Sequence, residues 1–394
     1  LHGPEHTFLR KSLLQLFTRH RLGVYVETQQ DLIRQIFGQW LKDFKGKEIE
    51  LRNLARDLNM YTSLRVLMGS YLSENEIDYL NEMFFTVNNG LIALPINLPG
   101  LPLYKAVQTR EKLMEKLRDV VRNAHKNFLD HKDNKSVTYY LLENVINNLR
   151  REQAKKENNG DDQGHKDLAG HEFTTVPELP ETGPWSVTKV ANVIMNLLFA
   201  SQDASTSSIV WAVHLLDKHR DVWEKVRQEQ LSIRPNDEPI THDNLDKMTY
   251  THQVVKEILR FRPPAIMVPH EAKTDFDIDG HKIPKGSLIM PSIMSAVNQG
   301  FTNPYDFNPD RFSAANREDV TYAKNYLVFG AGPHSCIGRE YAINQLKVFT
   351  ALFSTLLDVK RRVTDKSEEL VMGPTTFPAD NCPVTFFPAT VYTH

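Results

Sequence analysis

The chain has 394 residues, 41% of them hydrophobic, enough to bury a large core, and length alone would allow two or three domains. A net charge of −2 leaves no field strong enough to mark nucleic acid or an acidic polymer as the main partner. The two cysteines, Cys336 and Cys382, stand in dissimilar settings, which argues against a disulfide framework, permits a reducing compartment and leaves a thiol free for chemistry.

The chain begins at Leu1 with nothing that reads as a signal peptide, transit peptide or anchor, so we expect a segment that starts inside a domain. From Pro4 to about Leu149 apolar residues recur at helical spacing, as in Leu9, Leu13, Leu16, Phe17 and in Leu113, Leu117, Val120, Val121. The proline-rich run from Leu94 to Pro102 breaks that pattern as an apolar connector. Residues 151–180, polar and without periodicity, are expected to form a mobile surface insertion. Ser186 then caps a long helix, and a second helix is expected from about Asp217 to Leu231. Between Val190 and Leu216 the single formal charge is Asp203, so length alone suggests a membrane span. The central cluster Ser201, Gln202, Asp203, Ser205, Thr206, Ser207, Ser208 argues instead for a helix buried in protein. Strand signals come only later, where residues 272–291 alternate and turn like a short hairpin. The expected class is mainly α with a small β part (α+β), without internal repeats.

The most informative segment is Phe329-Gly330-Ala331-Gly332-Pro333-His334-Ser335-Cys336-Ile337-Gly338, followed at once by a helical run from Arg339 to about Leu357. A thiolate that ligates iron needs its charge spread, and a glycine-bearing loop before a helix start aims N–H groups at the sulfur. A dinucleotide fingerprint would need glycine where Ser335 stands, and a zinc site would need further ligands at metal spacing. A structural cysteine in a tight turn is the remaining alternative.

Elsewhere, Glu257 and Arg260 sit three apart on one helix face, close enough to pair, as many surface pairs do. His6 and Arg10 are four apart on the first helix and face the same way, again as a surface pair could. His270 reads equally well as a solvated loop histidine.

The pattern Phe-Gly-x-Gly-x-His-x-Cys-x-Gly resembles the haem-binding loop of the cytochrome P450 superfamily. That resemblance implies a P450 fold truncated at the N-terminus: one domain over 1–394 that lacks its anchor and first β-sheet segment. It implies haem as cofactor, with Cys336 as axial ligand to the iron, Phe329 shielding the sulfur, His334 donating to a propionate, and Gly330, Gly332 and Gly338 shaping the loop. Asn308-Pro309-Asp310-Arg311-Phe312 resembles the family's meander, so that Arg311 would join Glu257 and Arg260 in a structural cluster. His6 and Arg10 match a propionate-binding pair, and His270 matches a position for the other propionate. Ala200 to Thr206 resembles the distal helix, with Asp203 as the acid of proton delivery. It departs from the pattern in having Ser201 for glycine and Ala204 for threonine, which leaves Ser205 and Thr206 as the nearest hydroxyls.

The runs Leu198 to Ser208 and Phe261 to His270, with the Leu94 to Pro102 loop, are similar to those of the sterol C-22 desaturases of fungi, plants and algae. The implied reaction removes two hydrogens from a sterol side chain at carbon 22, using O2 and electrons from NADPH through a separate reductase. Arg339 and Lys347, with Lys11 and Arg19 on the first helix, are expected to offer that reductase a basic face. The implied location is the cytosolic face of the endoplasmic reticulum membrane, through an N-terminal anchor absent from this chain. A hydroxylase of another lipid would share every haem motif, and a catalytically silent haem-binding protein is the reading from another class.

Overall fold

The computed structural model describes residues 3–91, 93–130, 135–157, 176–183, 185–373 and 375–389. In chain order the helices are α1 (Gly3–Leu14), α2 (Arg19–Phe44), α3 (Leu51–Met68), α4 (Glu74–Leu91), α5 (Pro102–Lys126), α6 (Val137–Glu157), α7 (Val187–Lys218), α8 (Arg220–Ile233), α9 (His242–Lys247), α10 (Thr249–Phe261), α11 (Ile293–Asn298), α12 (Glu318–Thr321) and α13 (Arg339–Leu356). The strands are β1 (Glu48–Glu50), β2 (His270–Glu271), β3 (Phe276–Ile278), β4 (His281–Ile283), β5 (Leu288–Ile289), β6 (Leu357–Arg361), β7 (Leu370–Met372), β8 (Thr376–Pro378) and β9 (Pro383–Pro388). The chain divides into two compact units: Leu1–Leu32 with Asp57–Gln202, and Ile33–Arg56 with Asp203–His394.

The first unit is helical. Pro102 opens α5, where a missing N–H costs nothing, and His125 and Lys126 meet the negative end of the helix dipole. The α5 stripe of Leu113, Leu117, Val121 and Ala124 is fully buried. Glycine at position 90 lets α4 approach α5 closely, because a Cβ there would lie 2.0 Å from that of Ala106. Arg21 of α2 donates to the Glu143 carboxylate of α6 at 2.7 Å and lies over the Tyr140 ring. The helix α6 runs to Glu157, past the expected start of the insertion at residue 151; residues 158–175 of that insertion lie outside the described residues.

The second unit is built around α13, whose buried positions include Ile343, Leu346, Val348, Phe349, Leu352 and Phe353. Phe37 of α2 packs edge-on against Phe349, and Trp40 stacks on Phe386 with centroids 5.2 Å apart. A three-stranded antiparallel sheet, ordered β1-β9-β6, closes this core, with Ile49 opposite Val384 and Val359 opposite Phe386. The early strand β1 corrects the expectation that strands appear only late. Three residues show no period, and their pairing comes from the far end of the chain. The expected hairpin is β3–β4, turned by Asp279 and Gly280, with β2 and β5 pairing beside it in sequence.

Helix ends follow local chemistry. Ser186 Oγ accepts the Lys189 N–H and starts α7. That helix continues to Lys218, so the break expected at Asp217 falls at His219 and the next helix starts at Arg220. Met248, at the N-cap of α10, offers no side-chain acceptor. The Glu229 carboxylate of α8 substitutes, accepting the amides of Tyr250 and Thr251 at 2.6 and 2.9 Å. Among the described residues no helix is long and apolar enough to cross a membrane, and α7 is buried from Ile209 to Leu216.

Candidate active site

The loop that carries Cys336 folds back on itself. The Cys336 amide donates to the Phe329 carbonyl at 2.8 Å, and Gly330 and Gly332 hold φ of +67° and +71°. A Cβ at either glycine would meet no atom closer than 3.9 Å, so backbone conformation, not space, requires glycine there. Gly338 differs: its φ is −87°, it is the N-cap of α13, and a Cβ on it would sit 3.9 Å from Cys336 Sγ. The sulfur therefore lies beside a helix N-terminus, where partial positive charge favours a thiolate. Phe329 is half-buried, and the Arg339 guanidinium stands 5.7 Å from its ring centroid.

The two cysteines differ sharply. Cys336 is exposed, whereas Cys382 is fully buried and its thiol is pushed well above the ordinary range by that burial. Among the described residues, the one grouping of His, Cys, Asp and Glu side chains close enough to share a metal ion is His242, Asp243 and Asp246, which excludes Cys336. An exposed sulfur outside that grouping suits a metal whose other donors come from a macrocycle. The residues of this loop thus fit a haem with one axial thiolate.

Behind the loop in sequence lies a buried charge cluster. Glu257 accepts from Arg260 Nε and Nη2 at 2.7 and 2.8 Å, from Arg311 Nε at 3.2 Å and from the Asn308 amide at 2.8 Å. Arg260 also donates to the Pro304 carbonyl, and Arg311 to those of Thr302 and Asp306. Glu257 and Arg260 are 0% exposed and Arg311 is 2% exposed. The three residues singled out in the sequence are brought together, and a fourth joins them. Glu318 accepts from Arg311 Nη1 at 2.9 Å, so two carboxylates balance two guanidiniums. No local signal marked Glu318, which reaches the cluster because Arg317 turns the chain through φ +47°.

Along α7, the helix expected to be buried in protein, Asp203 itself is half-buried. Its backbone carbonyl accepts from Thr375 Oγ1 at 3.4 Å. Arg52, half-buried over the Phe377 ring, feels the Asp203 charge, which opposes the lowering of the guanidinium's pKa by burial. Ser205 is half-buried and Thr206 buried. Ser207 Oγ and Trp211 Nε1 both donate to the Thr376 carbonyl, at 2.6 and 3.1 Å, and so tie the helix to β8.

His6 and Arg10 lie one turn apart on α1. His334 is exposed in the short 3₁₀ turn just before Cys336, and His270 is exposed on β2, with Nδ1 2.8 Å from the Val268 carbonyl. The expected basic face needs two corrections. Arg19 opens α2 and is not on the first helix. Lys347 is buried, hydrogen-bonded to the Leu245 carbonyl, and burial lowers its pKa to about 8. The buried sides of α13 extend beyond one face, so a lysine there can point inward.

Comparison with known proteins supplies the family. A sequence model of the family described as Cytochrome P450 matches residues 1–376. A probable cytochrome P450 524A1 of Dictyostelium discoideum is 39% identical over 388 residues, covering 98% of this chain and 67% of its own length. Cytochrome P450 710A2 of Arabidopsis thaliana is 36% identical, covering 98% and 73%, and C-22 sterol desaturase ERG5A of Gibberella zeae is 32% identical, covering 98% and 72%. Among solved structures, a retinoic acid-bound cyanobacterial CYP120A1 matches with a TM-score of 0.80 at 24% identity, covering 99% of this chain and 80% of that one. The similarity thus runs through the cysteine loop, the buried charge cluster and nearly all of the helical framework, and the chain belongs to the cytochrome P450 family.

Proposed function

We propose that the protein introduces a double bond at carbon 22 of a sterol side chain. Two hydrogens leave the sterol, O2 is reduced to two waters, and NADPH supplies the remaining two electrons through a separate reductase. The observation that carries this reading is 32% identity with a C-22 sterol desaturase across 98% of the chain. Ala204 supports it, because a site without a hydroxyl at that position departs from the usual hydroxylating pattern. Haem, when bound, supplies O2 activation and hydrogen removal. The chain's own residues do the rest. Cys336 would hold the haem iron through its sulfur, and His6, Arg10, His334 and His270 would hold the propionates. Asp203, with Ser205 and Thr206, moves protons, and Ala204 leaves room for an ordered water between them. The exposed Lys11, Arg19 and Arg339 serve the reductase.

The test is a reconstituted assay that scores side-chain alkene, side-chain alcohol and peroxide. Wild type should yield mainly alkene, Ala204→Thr should raise the alcohol share several-fold, and Asp203→Asn should slow turnover by about 100-fold or more. An alcohol as the main wild-type product would replace desaturation by hydroxylation. Unchanged product ratios in Ala204→Thr would remove the role given to that residue.

A membrane location is supported by the α4–α5 connector. Leu94, Ile96 and Leu98 are 76, 45 and 59% exposed, and no charge stands between Glu82 and Lys105. Such a patch favours an apolar environment. Leu94→Asp with Leu98→Asp should reduce flotation of this chain with phosphatidylcholine vesicles by at least about tenfold, since each leucine contributes roughly 1.5–3 kcal/mol when buried. Equal flotation of the double variant would exclude the connector as the contact.

A further inference from the structure

Four successive carbonyls in the middle of α7 each accept a hydrogen bond from a side chain. Asn59 Nδ2 donates to Ser201 O at 3.1 Å and to Gln202 O at 2.7 Å, Thr375 Oγ1 reaches Asp203 O at 3.4 Å, and Ser208 Oγ donates to Ala204 O at 2.8 Å. Helical carbonyls already serve the amides four residues on, and a second donor tilts them outward and bends the helix. The strongest of these grips comes from Asn59, which is 0% exposed on α3 and also donates to Gln202 Oε1 at 3.2 Å. One turn along α3, Ser63 lies 3.4 Å from Ser201 Oγ. A leucine would fill the Asn59 position without the cost of burying an amide, so packing alone does not account for asparagine.

We propose that Asn59 is a positioning residue for the oxygen-side turn of α7. The helical partners of Ser201 O and Gln202 O are the amides of Ser205 and Thr206, so holding those two carbonyls sets the direction of the two hydroxyls beside Asp203. In a helix without a hydroxyl at Ala204, outside donors take over the shaping of the turn. The proposal rests on the reading of Asp203, Ser205 and Thr206 as the proton-delivery group.

The experiment compares haem-loaded wild type with Asn59→Ala and Asn59→Ser. Hydrogen exchange of peptides covering residues 198–208 is read without substrate, and peroxide released per NADPH is read with sterol and reductase. Asn59→Ala should speed exchange at Ser205 and Thr206 by about tenfold while peptides of α10 and α13 keep their rates. The peroxide share should rise at least twofold at unchanged haem content. Asn59→Ser, which retains one O–H donor, should fall between, and it carries the same comparison if the alanine variant loses haem. Exchange and peroxide equal to wild type in both variants, or faster exchange spread evenly over the whole chain, would reduce Asn59 to a packing residue. The exchange contrast with no alkene from wild type would leave the positioning role standing and remove the sterol reading.

Discussion

Cys336→Ser is expected to abolish the red-shifted absorption of the ferrous carbon monoxide complex, whereas Cys382→Ser keeps it. The contrast follows from the settings of the two sulfurs. Cys336 is exposed at the end of a loop closed by the hydrogen bond from its own amide to the Phe329 carbonyl, next to the start of α13. Cys382 has no exposure, and burial holds its thiol protonated far above neutral pH. A serine hydroxyl offers iron neither the charge nor the polarisability of a thiolate, so the spectral change should be complete rather than graded. Both variants should fold, because the loop's shape depends on Gly330 and Gly332 and not on the sulfur. A thiolate spectrum that survives in Cys336→Ser would overturn the axial assignment.

The second large effect is expected at Glu257. Its carboxylate is shared by Arg260, Arg311 and the Asn308 amide, and both guanidiniums are out of contact with water or nearly so. Glu257→Ala leaves two buried guanidiniums with Glu318 as the one remaining carboxylate of the cluster, at a cost of roughly 3–5 kcal/mol. That is a large part of the usual stability of about 5–15 kcal/mol. Haem-free or insoluble protein is the expected outcome. Glu257→Gln keeps an acceptor for Asn308 without the charge and should melt between the two. The check is haem content per chain with thermal melting, and a haem-loaded Glu257→Ala with wild-type melting would show that the cluster carries little of the fold.

What could be read from the sequence depended on how local its cause was. The cysteine loop is legible because glycine conformation and sulfur chemistry share ten adjacent residues and a helix follows at once. The Glu257–Arg260 pair is legible from helical spacing alone. Glu318 is not, because its place at Arg311 depends on a left-handed residue and a meander that no period announces. Lys347 reads as a surface charge until α13 is seen to bury several sides. Asn59 carries no signal at all: one polar residue in an amphipathic helix looks like any other until its partner carbonyls are known. β1 is too short to alternate, and its partner lies at the other end of the chain.

That pairing has a consequence for how the protein comes into being. Glu48 lies opposite Thr385, so the second unit draws its sheet, and the aromatic residues Phe37 and Trp40, from a segment made long before its partners. During synthesis this early segment must wait with apolar surface uncovered until β9 leaves the ribosome. Contacts of such separation close slowly and expose the nascent chain to aggregation. Helices α4 and α5 of the first unit pair across a short connector and can consolidate sooner. The unit that carries Cys336 therefore closes its sheet late, once β9 has followed β1 out of the ribosome.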